Sequence, residues 1–471
     1  MGPRRRRGCR PRRVRRRPPR SGCSEDGPSE RLPDRRRGRC RCSFHRCRGC
    51  PLNSHRPSTH RPARSGRSRG RPRSNRRVVA LGFAADPGEP NARDDAPRNT
   101  QTQCGRRGMM SGLKSRVRVR PVSESATPGS VSVVIPCYNY ARYVEDCVAS
   151  VLSQTGAQVE VIVVDDKSTD ESLSVATALS ARDPRVVVLA NERNSGMVET
   201  FNNGLSIASG EFLVRLDADD LLTPGSLERA LAVFRAFPSV SLVYGRPLHF
   251  EGLVIPPART EARAWTVWPG LEWLADRCRS GVNVITSPEV VMRMSAVRAA
   301  GPQKALNHTP DMEMWFRLAA YGDIAYIHGV DQAWHREHAA SMSAIEVDDA
   351  TDLVDRYETF IELFTGAVGR VPGAEQMKAA ALQALAREAL MRASREYDCG
   401  RGDSSAAHAL AGLAAHFVDD PANVPGWNGL QRRIQCGASR SGRGMHSMGR
   451  RLTRRISTEL RGLRWRRDGI Y

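Results

Sequence analysis

Patterned alternation of apolar and polar positions begins near Ser130. "VSVVIPCYN" (131–139) is a short β-branched run closed by turn formers, as a fully buried strand would be. "YVEDCVASVLSQT" then places Val144, Val148, Val151 and Leu152 at helical spacing. "VEVIVVDD" (159–166) reads as a second buried strand stopped by two acids, and "ESLSVATALSAR" as a second helix. "RVVVLAN" (185–191) predicts a third strand, 197–209 a third helix, and "GEFLVRLDADD" a fourth strand. Strands alternating with helices of this length predict an α/β fold: a doubly wound, mostly parallel sheet with helices on both faces.

In such sheets ligands bind beyond the carboxyl ends of the strands. Four exits here carry polar chemistry, "PCYN", "DDKSTD", "NERNSG" and "DADD". They predict one site assembled from four loops at one sheet edge. The glycines form no GxGxxG cradle, which argues against a nicotinamide-dinucleotide fold.

Beyond the sheet the patterning changes. Residues 265–345 are mixed, with three Trp in "WTVWPGLEW" and a helical "DMEMWFRLAAYG". After 350 the chain is helical through "LVDRYETFIELF", "QMKAAALQALAREALMRAS" and "SAAHALAGLAAHF", and no side chain there stands out as chemical. The last stretch sets Met448, Leu452, Ile456, Leu460 and Leu463 at helical spacing among arginines. Such a basic amphipathic helix reads either as a contact with an anionic membrane surface or as a helix packed on the body with its Arg solvated. The expected organisation is a leader over 1–125, an α/β domain over 130–345, a helical region over 350–430 and a basic tail over 431–471.

Charge sharpens this division. The formal net charge is +23, yet residues 1–120 hold 36 Lys+Arg against 8 Asp+Glu, leaving the rest with 37 basic and 42 acidic groups. The basicity belongs to the leader, so a nucleic-acid function for the body is disfavoured. The leader itself is rich in Arg, Pro, Gly and Ser, buries too little apolar surface to order, and could hold polyanions by counterion release. Alternatively it is dispensable, with Met109-Met110 starting the compact part. Its "CRCSFHRCRGC" offers Cys40, Cys42, His45, Cys47 and Cys50 as zinc ligands, but only one Cys-x2-Cys pair is present. The five cysteines outside the leader are scattered, which suits a reducing, cytoplasmic setting. No apolar run approaches the roughly 18 residues of a membrane span, and no apolar stretch follows the basic start to make a secretory signal.

The order of motifs "VSVVIPCYNYARYVEDCVASVLSQT", "EVIVVDDKSTDES", "NERNSGMVETFNNGLSIASGEFLVRLDADDLLTPGSLE" and "HREHAASMS" resembles the inverting family 2 glycosyltransferases with the GT-A fold. The resemblance covers about 130–345, under half of the chain. It implies a nucleoside-diphosphate sugar donor, a UDP-sugar being favoured, and a glycan, lipid-linked or protein acceptor. One-residue transfer, with the protein held at most peripherally on the inner membrane face, fits the lack of a span better than a processive synthase does.

The resemblance also suggests roles. Pro136 and Tyr138 border the nucleotide base, and Tyr138 could stack on it. Asp165 and Asp166 accept hydrogen bonds from base or ribose, although Ser168 or Asp170 could cap the next helix; Asn194 joins this donor-binding set. The family loop usually has Gly where Lys167 stands. Asp217-Ala218-Asp219 matches the DxD motif, with Asp219 the expected ligand of Mg²⁺ or Mn²⁺, Asp217 on ribose or metal-bound water, and Asp220 supporting the loop. A helix cap or a solvated turn would need fewer acids. His338 in "HREHAAS", near Arg336, would complete the metal site or touch phosphate, where a structural histidine is the plainer reading.

Inverting transfer needs a carboxylate base. In "TPDMEMWFRLA" Pro310 stands where the family has Glu, and Asp311 where it has the base. Glu313 is the fallback, pointing about 200° away on a helix, and Asp311 could equally be an N-cap. Rival readings are an Arg-driven nucleic-acid binder and an inactive sugar-nucleotide scaffold.

Overall fold

Strand β2 (Gly129–Cys137) shows how the sheet divides the interior. Successive side chains of a strand point to opposite faces. Val131, Val133 and Ile135 enter one buried cluster, while Val134 between them enters the other. The structure, a computed structural model, describes residues 113–122, 128–338, 347–437, and 456, 459, 460, 462–465 and 467. The leader to residue 112, with its Cys40, Cys42, His45, Cys47 and Cys50, lies outside these.

Each predicted strand and helix of the first half is present, with boundaries within a few residues. After a short β1 (Val117–Val119) and β2 come α1 (Val144–Leu152), β3 (Ala157–Asp165), α2 (Ser172–Arg182), β4 (Val186–Ala190), α3 (Met197–Ile207) and β5 (Phe212–Arg215). β4, β3, β2 and β5 lie side by side and parallel. The faces of α1 and α2 that carry Val144, Cys147, Val148, Val151 and Ala176 pack on one side of this sheet. Phe201 of α3 packs on the other. Gly204 lets α3 approach closely: a Cβ there would stand 2.5 Å from Val134 Cγ1.

The second half is a mixed extension. It consists of β6 (Leu221–Leu222), α4 (Ser226–Ala236), β7 (Val240–Glu251), β8 (Ala264–Trp268), α5 (Gly270–Ser280), β9 (Val291–Arg293), α6 (Met294–Ala300), α7 (Pro310–Leu318) and β10 (Asp323–Glu337). The full strand order is β1-β8-β10-β7-β9-β5-β2-β3-β4, with β6 paired to β10. β10 runs parallel to β7, while β8 and β9 join their neighbours antiparallel. The predicted sheet is thus parallel at one side and mixed at the other.

The appended region holds α8 (Asp349–Thr365), α9 (Ala374–Asp398), α10 (Ser405–His416) and α11 (Trp427–Cys436). It packs into the same cluster as α5, α6 and α7, with Leu353, Phe360, Leu385 and Leu390 buried among Trp273, Trp315 and Phe316. No helix of the described residues is long and apolar enough to cross a membrane.

Candidate active site

The strand exits are tied together before any ligand is considered. Asn139, just past β2, has φ +60, a left-handed conformation that Asn tolerates. Its Oδ1 accepts from Thr169 N at 2.8 Å, joining the first exit loop to the second. Asp170 Oδ2 accepts from Ala141 N at 3.1 Å across the same gap. Asp166 braces the second exit to the third: Oδ1 accepts from Ser195 N at 2.7 Å and Asn191 Nδ2 at 2.8 Å, and Oδ2 from Gly196 N at 2.8 Å. Burial works against its charge, yet these donors hold its carboxyl below the usual range. Lys167 sits at φ +63, a left-handed backbone conformation that favours glycine.

The fourth exit carries the acids. Asp217 Oδ1 pairs with the buried Arg215 Nη2 at 2.9 Å. Asp219 Oδ2 meets His338 Nε2 at 2.8 Å. Burial, and next the Asp217 charge, raise the Asp219 carboxyl, and His338 opposes this. Asp220 is fully buried and turned away from the other two, accepting from Arg336 N at 2.8 Å and facing His335 Nδ1 at 3.0 Å. Burial pushes the Asp220 carboxyl up to about 7. Burial opposes the His335 charge, but the Asp220 carboxylate outweighs it and lifts that imidazole to about 9. Arg336 Nε also donates to Asp219 O at 3.0 Å. The end of β10 therefore holds the acidic turn in place. Tyr140 and Tyr143 border the His338 ring, with centroids 6.1 and 5.6 Å from it.

Asp311 enters from α7. Its Oδ2 accepts from Ser287 Oγ at 3.3 Å, and that oxygen accepts from Arg215 Nη1 at 3.3 Å. Arg215 thus connects Asp217 to Asp311 through one hydroxyl. Burial pushes the Asp311 carboxyl up to about 6, against the lowering field of Arg215. Glu313, the fallback, is buried elsewhere in an ion pair with Arg317 at 2.8 Å.

These groups line one cavity of about 930 Å³. Pro136, Tyr138, Asp166, Asn194, Asp217, Asp219, Asp311 and His338 all border it. Asp165 does not. Its Oδ2 accepts from Ser168 N at 3.1 Å, and its buried Oδ1 has no hydrogen-bond partner among the described residues. Several lining residues escaped the sequence reading: Arg215, Ser287, His308, His335, and Asp352 and Asp355 of α8. His308 Nδ1 meets Asp355 Oδ2 at 2.8 Å, so the helical region does supply chemistry to the cavity. The carboxylates of α8 and the mixed strands offered no local signal for this.

The donor set suits a hard divalent cation. Asp219 offers an oxygen and His338 a nitrogen, and Mg²⁺ or Mn²⁺ ordinarily takes one or two protein ligands and completes its shell from substrate phosphate and water. Among the described residues no group of three His, Cys, Asp or Glu could hold an ion alone.

The family model described as "Glycosyl transferase family 2" matches residues 132–297. Over this segment the chain is similar to that family. The segment contains all four strand exits, but Asp311, His335 and His338 lie beyond it. An uncharacterized glycosyltransferase of Nostoc sp. is 40% identical over 114 residues, 24% of this chain and 35% of its own length. A chondroitin synthase of Escherichia coli is 26% identical over 253 residues, 52% of this chain and 34% of its own. The chain spans about a third of the length of the first curated relatives it matches. The crystal structure of S. aureus TarS 1-349 in complex with UDP-GlcNAc aligns at TM-score 0.43 and 17% identity, covering 65% of this chain and 92% of that one.

Proposed function

We propose that the chain is a metal-dependent, inverting glycosyltransferase. It moves a sugar from a nucleoside-diphosphate sugar, UDP-sugars being favoured, to a glycan, lipid-linked or protein acceptor. The observation that carries the proposal is the link Asp217–Arg215–Ser287–Asp311, which joins the diphosphate-side acids to a carboxylate on another element within one cavity. In this reading residues 130–345 are the catalytic part and the helical region over 350–430 is fused to it.

Each role follows from position. Pro136 and Tyr138 edge the nucleobase, and the exposed Tyr138 ring can stack on it. Asp165 stands behind the cavity wall and holds the second exit loop through Ser168 N, so the donor contacts of that exit fall to Asp166. Asp166 and Asn194 border the cavity and can accept from ribose hydroxyls, although Asp166 also spends its hydrogen bonds on the loop itself. Asp219 and His338 would hold the cation, with Asp217 on ribose or water, and the ion would neutralise the departing diphosphate as a Lewis acid. Asp311 takes the proton of the acceptor hydroxyl as that oxygen attacks the anomeric carbon from the face opposite the diphosphate. The bond from the anomeric carbon to the phosphate oxygen breaks in the same step, and the nucleoside diphosphate leaves. A carboxyl lifted to about 6 is charged at neutral pH yet more basic than an ordinary aspartate, as a base should be. Cys137, Cys147, Cys278, Cys399 and Cys436 are free thiols, which supports a cytoplasmic setting.

The test is nucleoside-diphosphate release from a panel of sugar nucleotides with Mn²⁺ and with chelator. Release should require the metal and should be lost in Asp219→Ala and in Asp311→Asn. Wild-type turnover in both variants would overturn the assignment of the site.

A further inference from the structure

The described residues of the C-terminal tail have an anchored side and an exposed side. Residues 456, 459, 460, 462–465 and 467 are helical. Trp465 anchors the inner face: its Nε1–H donates to Val284 O at 3.0 Å, and its ring packs on the larger buried cluster. The Arg467 carbonyl lies 3.0 Å from His328 Nδ1 on β10. The aliphatic residues do not take part in this docking. Ile456, Leu460 and Leu463 are 49%, 54% and 59% exposed. Within the described run 462–465, Leu463 and Trp465 are about 200° apart around the helix, on opposite sides of it.

A tail helix that served only to pack on the body would turn its aliphatic stripe inward. Here a single tryptophan faces the protein and the stripe faces solvent. The surrounding sequence is strongly cationic, with eight arginines against one acid (Glu459) between 450 and 467. Arg464 and Arg467 are exposed beside the stripe. A helix with an apolar face, arginine flanks and a fixed attachment to a folded body has the chemistry of an interfacial anchor.

We propose that the tail lays Ile456, Leu460 and Leu463 into the surface of an anionic lipid bilayer, with its arginines on the headgroups. This is independent of the chemistry in the cavity. The stripe selects lipid over nucleic acid, because arginines alone would hold a polyanion and leave the aliphatic side chains in water.

The test sediments the full chain with phosphatidylcholine vesicles, with and without about one-third phosphatidylglycerol. The comparison is the double variant Leu460→Glu, Leu463→Glu. Both positions are exposed, so its thermal midpoint should match the wild type. Wild type should pellet with the anionic vesicles and not with the neutral ones. The variant should partition on the order of tenfold less, the scale expected for losing two buried aliphatic side chains. Equal pelleting of variant and wild type would place binding in the Arg-rich leader or in charge alone, and would overturn the proposal. Failure of the wild type to bind either vesicle, or duplex DNA capture that the variant retains while vesicles are ignored, would overturn it as well.

Discussion

Asp166, Asn194, Asp217 and Asp219 reach the cavity from loops that directly follow parallel strands. Asp311 reaches it from α7, His308 from the loop before that helix, and Asp352 and Asp355 from α8 of the appended bundle. On the first wall each loop is short, and its backbone N–H groups donate to a side chain of the neighbouring loop. On the second wall side chains tie the elements together, through ion pairs within and between α8 and α9. Asp352 and Glu388 are both held by Arg356, at 2.9 and 3.0 Å, and Arg392 joins the same two acids. A loop tied to its neighbouring loops can be shared by many relatives, whereas a wall held by ion pairs inside the bundle can be exchanged with that bundle. The family match accordingly stops at residue 297, before the second wall begins.

The largest effect that separates the walls is catalytic. Asp311→Asn should lower transfer by about 10²- to 10⁴-fold, the usual worth of a general base. Nucleotide binding should stay within about threefold of wild type if the first wall seats the donor alone. Titration of UDP into the variant checks this, and a lost affinity would mean that the two walls do not divide the work. The next effect is on stability. Burial opposes the Glu388 charge, but Arg356 and Arg392 hold its carboxyl below the usual range. Arg356→Ala removes a buried cation from two half-buried acids that keep Arg392, and should cost about 1–2 kcal/mol in denaturant unfolding. Its effect on donor binding should be small.

A smaller effect tests the link between the walls. The Asp311 base works when deprotonated, so the rate should rise with pH through about 6 and level above it. Arg215 lowers that value, hence Arg215→Gln should move the acid limb upward in the pH profile of kcat/KM. An unmoved limb would break the proposed Arg215–Ser287–Asp311 connection. The smallest effect lies on the first wall. Left-handed backbone at Lys167 costs about 1–2 kcal/mol, and glycine gives back part of that as chain entropy. Lys167→Gly should therefore stabilise by roughly 0.5 kcal/mol with donor affinity unchanged, since Lys167 does not border the cavity.

The contrast also explains what the sequence could disclose. The β-branched runs and the polar exits behind them are local signals, and the predicted strands around Val131, Val161 and Val186 stand where expected. Asp217, Asp219 and Asp311 were legible as acids at matching motif positions. Arg215 was in plain view one residue before Leu216, yet its partner Ser287 is 72 positions away. His335 and Asp220 are 115 apart, and nothing near either one announces the pair. Asp352 and Asp355 read as ordinary charges of an amphipathic helix until packing turned them to the cavity. The split of charge between leader and body was legible from composition alone, and it steered the reading away from nucleic acid.

The central claim, that this cavity seats a sugar nucleotide through Asp219 and a divalent cation, is tested most directly by thermal shift of the full chain. A panel of UDP-, GDP- and other sugar nucleotides is titrated with Mn²⁺ against wild type and Asp219→Ala. The account predicts that at least one of them stabilises the wild type, by about 2.7 kcal/mol at roughly 100-fold excess over Kd. Chelator and Asp219→Ala should each remove most of that gain. No shift with any sugar nucleotide, or an equal shift in Asp219→Ala without metal, would contradict it.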